Sequence, residues 1–315
     1  MCKPNEIKFK ATCRSKPTIL LTQSSYHCTD EKGEKGPLSP SKTSTFLTVG
    51  FFVLLLCVSE QLFIHFIKTY CAHLHPVMDV ARNQQVLARH VGVDGLGIFL
   101  VSILGMKNRH VLSHLLTFKS FKRSDSETEG PKRIHTYLPG AHQVLLAFFA
   151  YQTKNMYDTI VWNDGILFIL HHLFAGATAW LGMYPGVAGV YGLFFMGISE
   201  FPTCTLCLLA NFDPELGIDG LGEAFPTIKA ILAVMFVTSF IAIRIIVWPA
   251  LTYHFWGDCL TVLKRDSVKE TNTVKISLKV MMTSSALLTL LQFIWLGQIV
   301  IEGKKEIVIF LASQA

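Results

Sequence analysis

Two adjacent histidines, His171 and His172, lie inside a long apolar run. A neutral imidazole can act as base or nucleophile, so the pair is where chemistry is to be sought first. Neighbouring helix positions are about 100° apart, so the rings cannot share a face: one can point into a bundle while the other meets a different helix. Six further ionisable residues fall within or beside apolar runs: Glu60, Asp94, Asp158, Asp164, Glu200 and Arg244. At membrane depth each costs on the order of 2.5 to 3.5 kcal/mol even on a lenient insertion scale, and so calls for a partner or a purpose. Asp164 precedes His171 by two helical turns, about 10 Å along an axis, which excludes a hydrogen bond within one helix. A carboxylate that orients a histidine must then come from elsewhere, with Asp94, Asp158 and Glu200 as candidates. Arg244 stands four residues before Trp248, a spacing that suits a side chain reaching toward headgroups beside an interfacial indole.

Metal chemistry is not indicated. Histidines at consecutive helix positions are poor ligand spacing, and no H-E-x-x-H is present. Cys204 and Cys207 form a C-x-x-C inside an apolar run, without the context of a redox or zinc site, and read as apolar filler. The eight cysteines show no framework spacing. No cofactor is implied.

Elements that carry these residues follow from composition. The chain has 315 residues, 51% hydrophobic and 16% charged, too apolar for an ordinary soluble domain. Runs of about 20 apolar residues predict transmembrane helices: 46–67, 231–251 and 280–301 most plainly, with 91–106 and 138–162 as weaker spans. The stretch 166–210 is broken at Met183-Tyr184-Pro185-Gly186, where Pro and Gly turn a helix pair, and so counts as two. The total is seven. A β-barrel would need alternating segments of about ten residues, which these unbroken runs are not. The expected fold is therefore an all-α polytopic bundle. Small residues from Ala175 to Gly197 allow close helix approach, and Pro202, two residues after Glu200, predicts a kink.

Residues 1–44 read as a disordered basic tail without the apolar core of a cleaved signal, so the first span serves as an uncleaved anchor. Basic residues gather at Lys107, Arg109, Lys119, Lys122, Arg123, Lys132 and Arg133, and again at Lys264, Arg265, Lys269 and Lys275, whereas Asp213, Glu215, Asp219 and Glu223 mark the opposite side. By the positive-inside rule the N-terminus is cytoplasmic. The net charge of +6 sits in loops beside spans, so anionic headgroups are its expected neighbours, not nucleic acid. Ser124 and Ser126 lie in a charged loop that suits phosphorylation, and Cys71, His73 and His75 in an interfacial linker.

His171-His172 in one span, Ser199-Glu200-Phe201-Pro202-Thr203 in the next and Ile243-Arg244-Ile245-Ile246-Val247-Trp248-Pro249 in the one after resemble the TLC-domain family, over residues 83–301. Tyr157-Asp158 is similar to that family's aspartate placement. The family includes ceramide synthases, translocon-associated membrane proteins and smaller lipid-related proteins. In ceramide synthases the paired histidines are tied to acyl transfer from acyl-CoA to a sphingoid amine, which would give that role to His171 and His172. Leu173 to Val190 lacks the Ser-Tyr and Arg-x-Gly elements of that subgroup, however, and Glu200 resembles the small TLC-domain proteins, which look like membrane-lipid regulators. The resemblance implies a tail (1–44), a first helix with linker (45–82), a six-helix TLC-like domain (83–301) and a short C-terminal tail (302–315).

The function expected is lipid handling or membrane-lipid homeostasis in the endoplasmic reticulum or another secretory-pathway membrane. A lipid chain would lie in the bundle, its headgroup met by Asp94, Asp158, Asp164, Glu200 and Arg244. The alternative is an N-acyltransferase drawing on acyl-CoA through His171 or His172. A transporter or seven-helix receptor ranks last, having no inverted repeat and no site beyond a span count. Membrane lipids are the expected partners, and an oligomer is left open.

Overall fold

The computed structural model describes residues 40–113, 115, 129–213, 217–264 and 271–314, and among them the secondary structure is helical, without strands. The tail up to residue 39, the loop charges Lys119, Lys122, Arg123, Glu215, Arg265 and Lys269, and Ser124 and Ser126 lie outside the described residues. Eight helices organise the rest: α1 (Lys42–Leu74), α2 (Ala81–Lys107), α3 (Gly130–His135), α4 (Pro139–Trp162), α5 (Ile166–Met183), α6 (Gly189–Phe212), α7 (Pro226–Lys264) and α8 (Asn272–Glu306). Six of them, all but α3 and α4, are long and apolar enough to cross a bilayer. The chain is a multi-pass integral membrane protein of all-α fold. Helix α4 has 24 residues, about 36 Å at 1.5 Å per residue and ample for a crossing, but its polar second half keeps it out of the apolar six. Helical structure continues past α8 to Gln314, so most of the expected C-terminal tail extends the last helix.

Helix ends follow local chemistry. Ser41 caps α1, its hydroxyl accepting from the Ser44 amide at 3.1 Å. Proline occupies the first turn of α3, α4 and α7, where its missing N–H costs no helical hydrogen bond. Helix α5 stops at Met183, ahead of Tyr184-Pro185, at the break expected from sequence. Between α4 and α5 the chain turns through Asn163 (φ 59°) and Gly165 (φ 108°); the second value is one that only glycine adopts without strain. Helix α6 is interrupted at Gly197, passes through a tight turn over Ile198–Glu200 and resumes at Phe201. The interruption thus precedes Pro202, which takes the first turn of the new segment.

Six helices close a ring in the order α2, α4, α5, α8, α7, α6, and α1 lies outside it against α2 and α4. Burial agrees: the most apolar stretch of α1 is 6% buried and that of α2 is 67%. Outward faces carry exposed apolar side chains such as Phe51, Leu54, Ile231, Val234 and Ile246, as hydrocarbon requires. Inside the ring, Leu145, Phe148, Tyr191, Phe195, Trp248 and Phe255 belong to one large core. Val86, Ile218 and Leu221 form a small second core at the other end.

The α2–α6 seam is tightest at two glycines. A Cβ on Gly105 would fall 2.7 Å from the Ile198 amide nitrogen and 2.8 Å from Gly197 Cα; these are backbone atoms, which cannot swing aside. Gly105→Ala should therefore destabilise the protein by about 1–3 kcal/mol, the usual cost of overpacking. Gly50→Ala on the lipid face of α1, where a Cβ would meet nothing within 4 Å, should instead stabilise slightly, by up to about 1 kcal/mol, through alanine's better helix propensity. Thermal unfolding of the two purified variants checks the pair.

Candidate functional site

The polar residues that the sequence places at membrane depth form three groups, within the ring save for Glu60 on α1 and Asp164 in the α4–α5 turn. In the first, the histidines diverge as their 100° spacing requires. His172 is buried and its Nδ1 lies 2.6 Å from Gln152 Oε1 on α4. His171 turns toward α8, its ring centre 5.2 Å from that of Trp295 and 5.3 Å from that of His172. Its Nδ1 is buried without a hydrogen-bond partner. The side chain that orients His172 is thus an amide and none of the candidate carboxylates. Among the described residues Asp158 and Glu200 are committed to other partners, and no hydrogen bond joins Asp94 to either ring.

The second group is centred on Arg244. Its Nε donates to the Ser199 carbonyl at 2.7 Å, and its Nη2 donates to Glu200 Oε1 and Thr203 Oγ1, both at 2.9 Å. Arg244 and Glu200 are each 4% exposed. The break in α6 places this site: a broken helix leaves backbone carbonyls free, and Ser199 offers one. Arg244 itself lies in a wide π-helical stretch of α7, Ile241–Val247, a local expansion that commonly marks functional positions. Its guanidinium stands 5.4 Å from the Trp248 ring centre. The expectation of an arginine reaching for headgroups is overturned. Trp248 is 2% exposed and its indole N–H donates to Thr289 Oγ1 at 2.9 Å, because α8 covers that face of α7 and pairing inside the ring satisfies both side chains.

A third group occupies the half of the bundle nearer the α4–α5 turn. Lys154 Nζ donates to both oxygens of Asp158, at 2.5 and 2.6 Å, and reaches Glu60 Oε2 on α1 at 3.0 Å. Arg89 forms a two-point pair with Asp164, and its guanidinium lies 5.4 Å from the Trp162 ring centre. Asp164 belongs to the turn before α5 and not to the helix, so it shares no stripe with His171. Asp94 is buried, and its Oδ1 finds no hydrogen-bond partner. Both Arg89 and Asp94 sit in a second π-helical stretch, Ala88–Gly95 of α2.

Sequence reasoning missed the two cations of this group. The Lys154–Asp158 spacing of four was a readable signal; Arg89 fell just outside the apolar run assigned to its span. A separate buried cluster was missed as well. Asp258 on α7, fully buried, accepts from Arg133 of α3 at 2.6 and 2.7 Å and from the Tyr191 hydroxyl at 2.5 Å. This cluster fastens the short helix α3 under the ring.

No group of three or more His, Cys, Asp or Glu side chains suited to a metal occurs among the described residues. Between α4, α5, α6, α7 and α8 lies an apolar pocket bordered by Leu145, Thr178, Tyr191, Phe195, Trp248 and Leu288. Its empty volume, open mouth included, is about 430 Å³. That suffices for a water; a lipid chain enters only if neighbouring helices move apart.

Removing one member of a buried ion pair strands the other, which typically costs about 3–5 kcal/mol, whereas replacing both by apolar residues costs far less. Glu200→Leu and Arg244→Leu should each lower stability by about that amount, and the double variant should lose less than the sum. A double-mutant cycle on thermal unfolding measures the coupling; strict additivity would mean that the pair does not interact.

Comparison with known proteins adds one finding. A family model described as the TLC domain matches residues 93–301, a span that holds all three polar groups except Glu60 and Arg89. No curated protein and no solved structure matches the chain. The matched segment covers most of the sequence, and the chain belongs to the TLC-domain family.

Proposed function

We propose that this protein binds a membrane lipid within its helical ring and acts in membrane-lipid homeostasis. In this reading the acyl chain enters the apolar space between α5, α6, α7 and α8, and the polar end meets the centre formed by His171, His172, Glu200 and Arg244. The observation that carries the reading is the placement of so many polar groups inside a ring whose outer faces are apolar, although each such group costs energy in hydrocarbon. Helix α4 crosses as the seventh span, the N-terminus is cytoplasmic, and the protein resides in the endoplasmic reticulum or another secretory-pathway membrane. Its subgroup is that of the small TLC-domain lipid-related proteins.

A second reading rests on the unpartnered Nδ1 of His171. A nitrogen bound to nothing is free to attack the thioester carbonyl of an acyl-CoA. The C–S bond breaks, the thiol leaves, and an amine then takes the acyl group from the ring with loss of its proton. The amide partner of His172 favours positioning over proton transfer, because Gln152 neither gains nor loses a proton.

Lipid profiles of cells lacking the protein separate the two. A shift confined to the chains of phospholipids, restored by the wild-type protein, with no acyl adduct on the His171 peptide, is the expected outcome. A rise in long-chain base matched by a fall in its N-acylated product, with an acyl mass increment on the His171 peptide after incubation with acyl-CoA, would establish the transferase instead.

A further inference from the structure

Gln292 is 1% exposed, and both its amide oxygen and its amide nitrogen are buried without a hydrogen-bond partner. An unsatisfied buried polar group costs about 1–3 kcal/mol, and this residue carries two on one side chain, in the middle of the apolar helix α8. Its direction follows from helix geometry. Thr289, three residues before it, receives the Trp248 indole N–H of α7, and Trp295, three residues after it, packs against the His171 ring of α5. A step of three residues leaves positions about 60° apart, one ahead and one behind. Gln292 therefore leaves α8 midway between its contacts with α7 and with α5, three residues before the Trp295 that packs on His171, whose Nδ1 is also unpartnered. One turn away, Leu288 and Trp248 border the apolar pocket. Arg244 has its charge balanced by Glu200 at 2.9 Å, so the region holds no spare charge to attract an ion.

We propose that Gln292, together with His171 Nδ1, is the recognition site for the uncharged polar end of a lipid, a group that offers both a hydrogen-bond donor and an acceptor, such as a hydroxyl beside an ester or amide carbonyl. The amide of Gln292 donates to the carbonyl and accepts from the hydroxyl, a match denied to an ammonium, which has no acceptor, and costly for a phosphate, whose charge would be buried without a counter-charge. The inference rests on the lipid-binding reading above and adds to it the chemical class of the lipid and the residue that selects it.

The test uses the full chain purified in detergent, with thermal unfolding read against added diacylglycerol, its methyl ether, which lacks the donor, and phosphatidic acid. The expected result is that diacylglycerol raises the unfolding temperature of the wild type and that its methyl ether needs at least about tenfold more lipid to do so. Phosphatidic acid should be similarly weak. Gln292→Met should unfold at a higher temperature than wild type without lipid, since two unsatisfied groups are gone, and should no longer distinguish alcohol from ether. Equal responses of the wild type to alcohol and ether, or a preference retained in Gln292→Met, would overturn the inference and leave lipid binding standing. A Gln292→Met protein that fails to fold would overturn it too, because the amide would then be bonded within the bundle. If none of the lipids shifts the wild type, the lipid-binding reading falls and takes the inference with it.

Discussion

Hydrocarbon offers no hydrogen bonds, so every charge in the interior of this bundle must find its partner in the protein. That constraint orders the structure. Arg244 is held by Glu200 and by a carbonyl that the break in α6 sets free. Lys154 bridges Asp158 and Glu60, and so ties the outer helix α1 to the ring. Arg89 takes Asp164, which only the left-handed turn at Asn163 and Gly165 brings within reach. Apart from Lys154–Asp158 within α4, each pairing joins different elements, so the polar groups that are costly to bury also fix which helices are neighbours.

The ring and its interior depend on each other. Glycines at the α2–α6 crossing let backbones touch, which brings the α6 break beside α2 and leaves Glu200 facing α7. Wide π-turns in α2 and α7 carry Arg89, Asp94 and Arg244. An additional residue per turn shifts the helix face, so these side chains lie inward where a regular helix would rotate them elsewhere. Among the buried polar groups left without a partner, the Nδ1 of His171 and the amide of Gln292 lie where α5 and α8 meet.

Much of this was legible in the residues. Apolar runs marked six of the long helices, Tyr184-Pro185 marked the turn between α5 and α6, and consecutive histidines had to diverge. The motifs around His171, Glu200 and Arg244 pointed to the TLC domain, which the family match supports. What could not be read was partnership across helices. Arg244 next to an aromatic looks the same in sequence whether it meets lipid headgroups or Glu200, since periodicity fixes a face without naming the neighbour. Asp164 seemed to extend a helical stripe because nothing in a hydropathy pattern reports positive φ. Asp258 and Arg133 sit far apart in sequence, one in a helix and one among loop charges, and only the docking of α3 joins them. Gln292 was hidden by its surroundings: an uncharged residue in an apolar run registers as span.

The central claim is that the histidine pair lies inside the ring, one ring fixed by an amide of α4 and the other shielded from water against α8. Solid-state NMR of the protein in bilayers, with labelled histidine and glutamine, measures it directly. The account predicts a through-space contact between the His172 imidazole and the Gln152 side-chain amide, and no proton exchange between bulk water and His171. Loss of that contact together with rapid water exchange at both rings would contradict it.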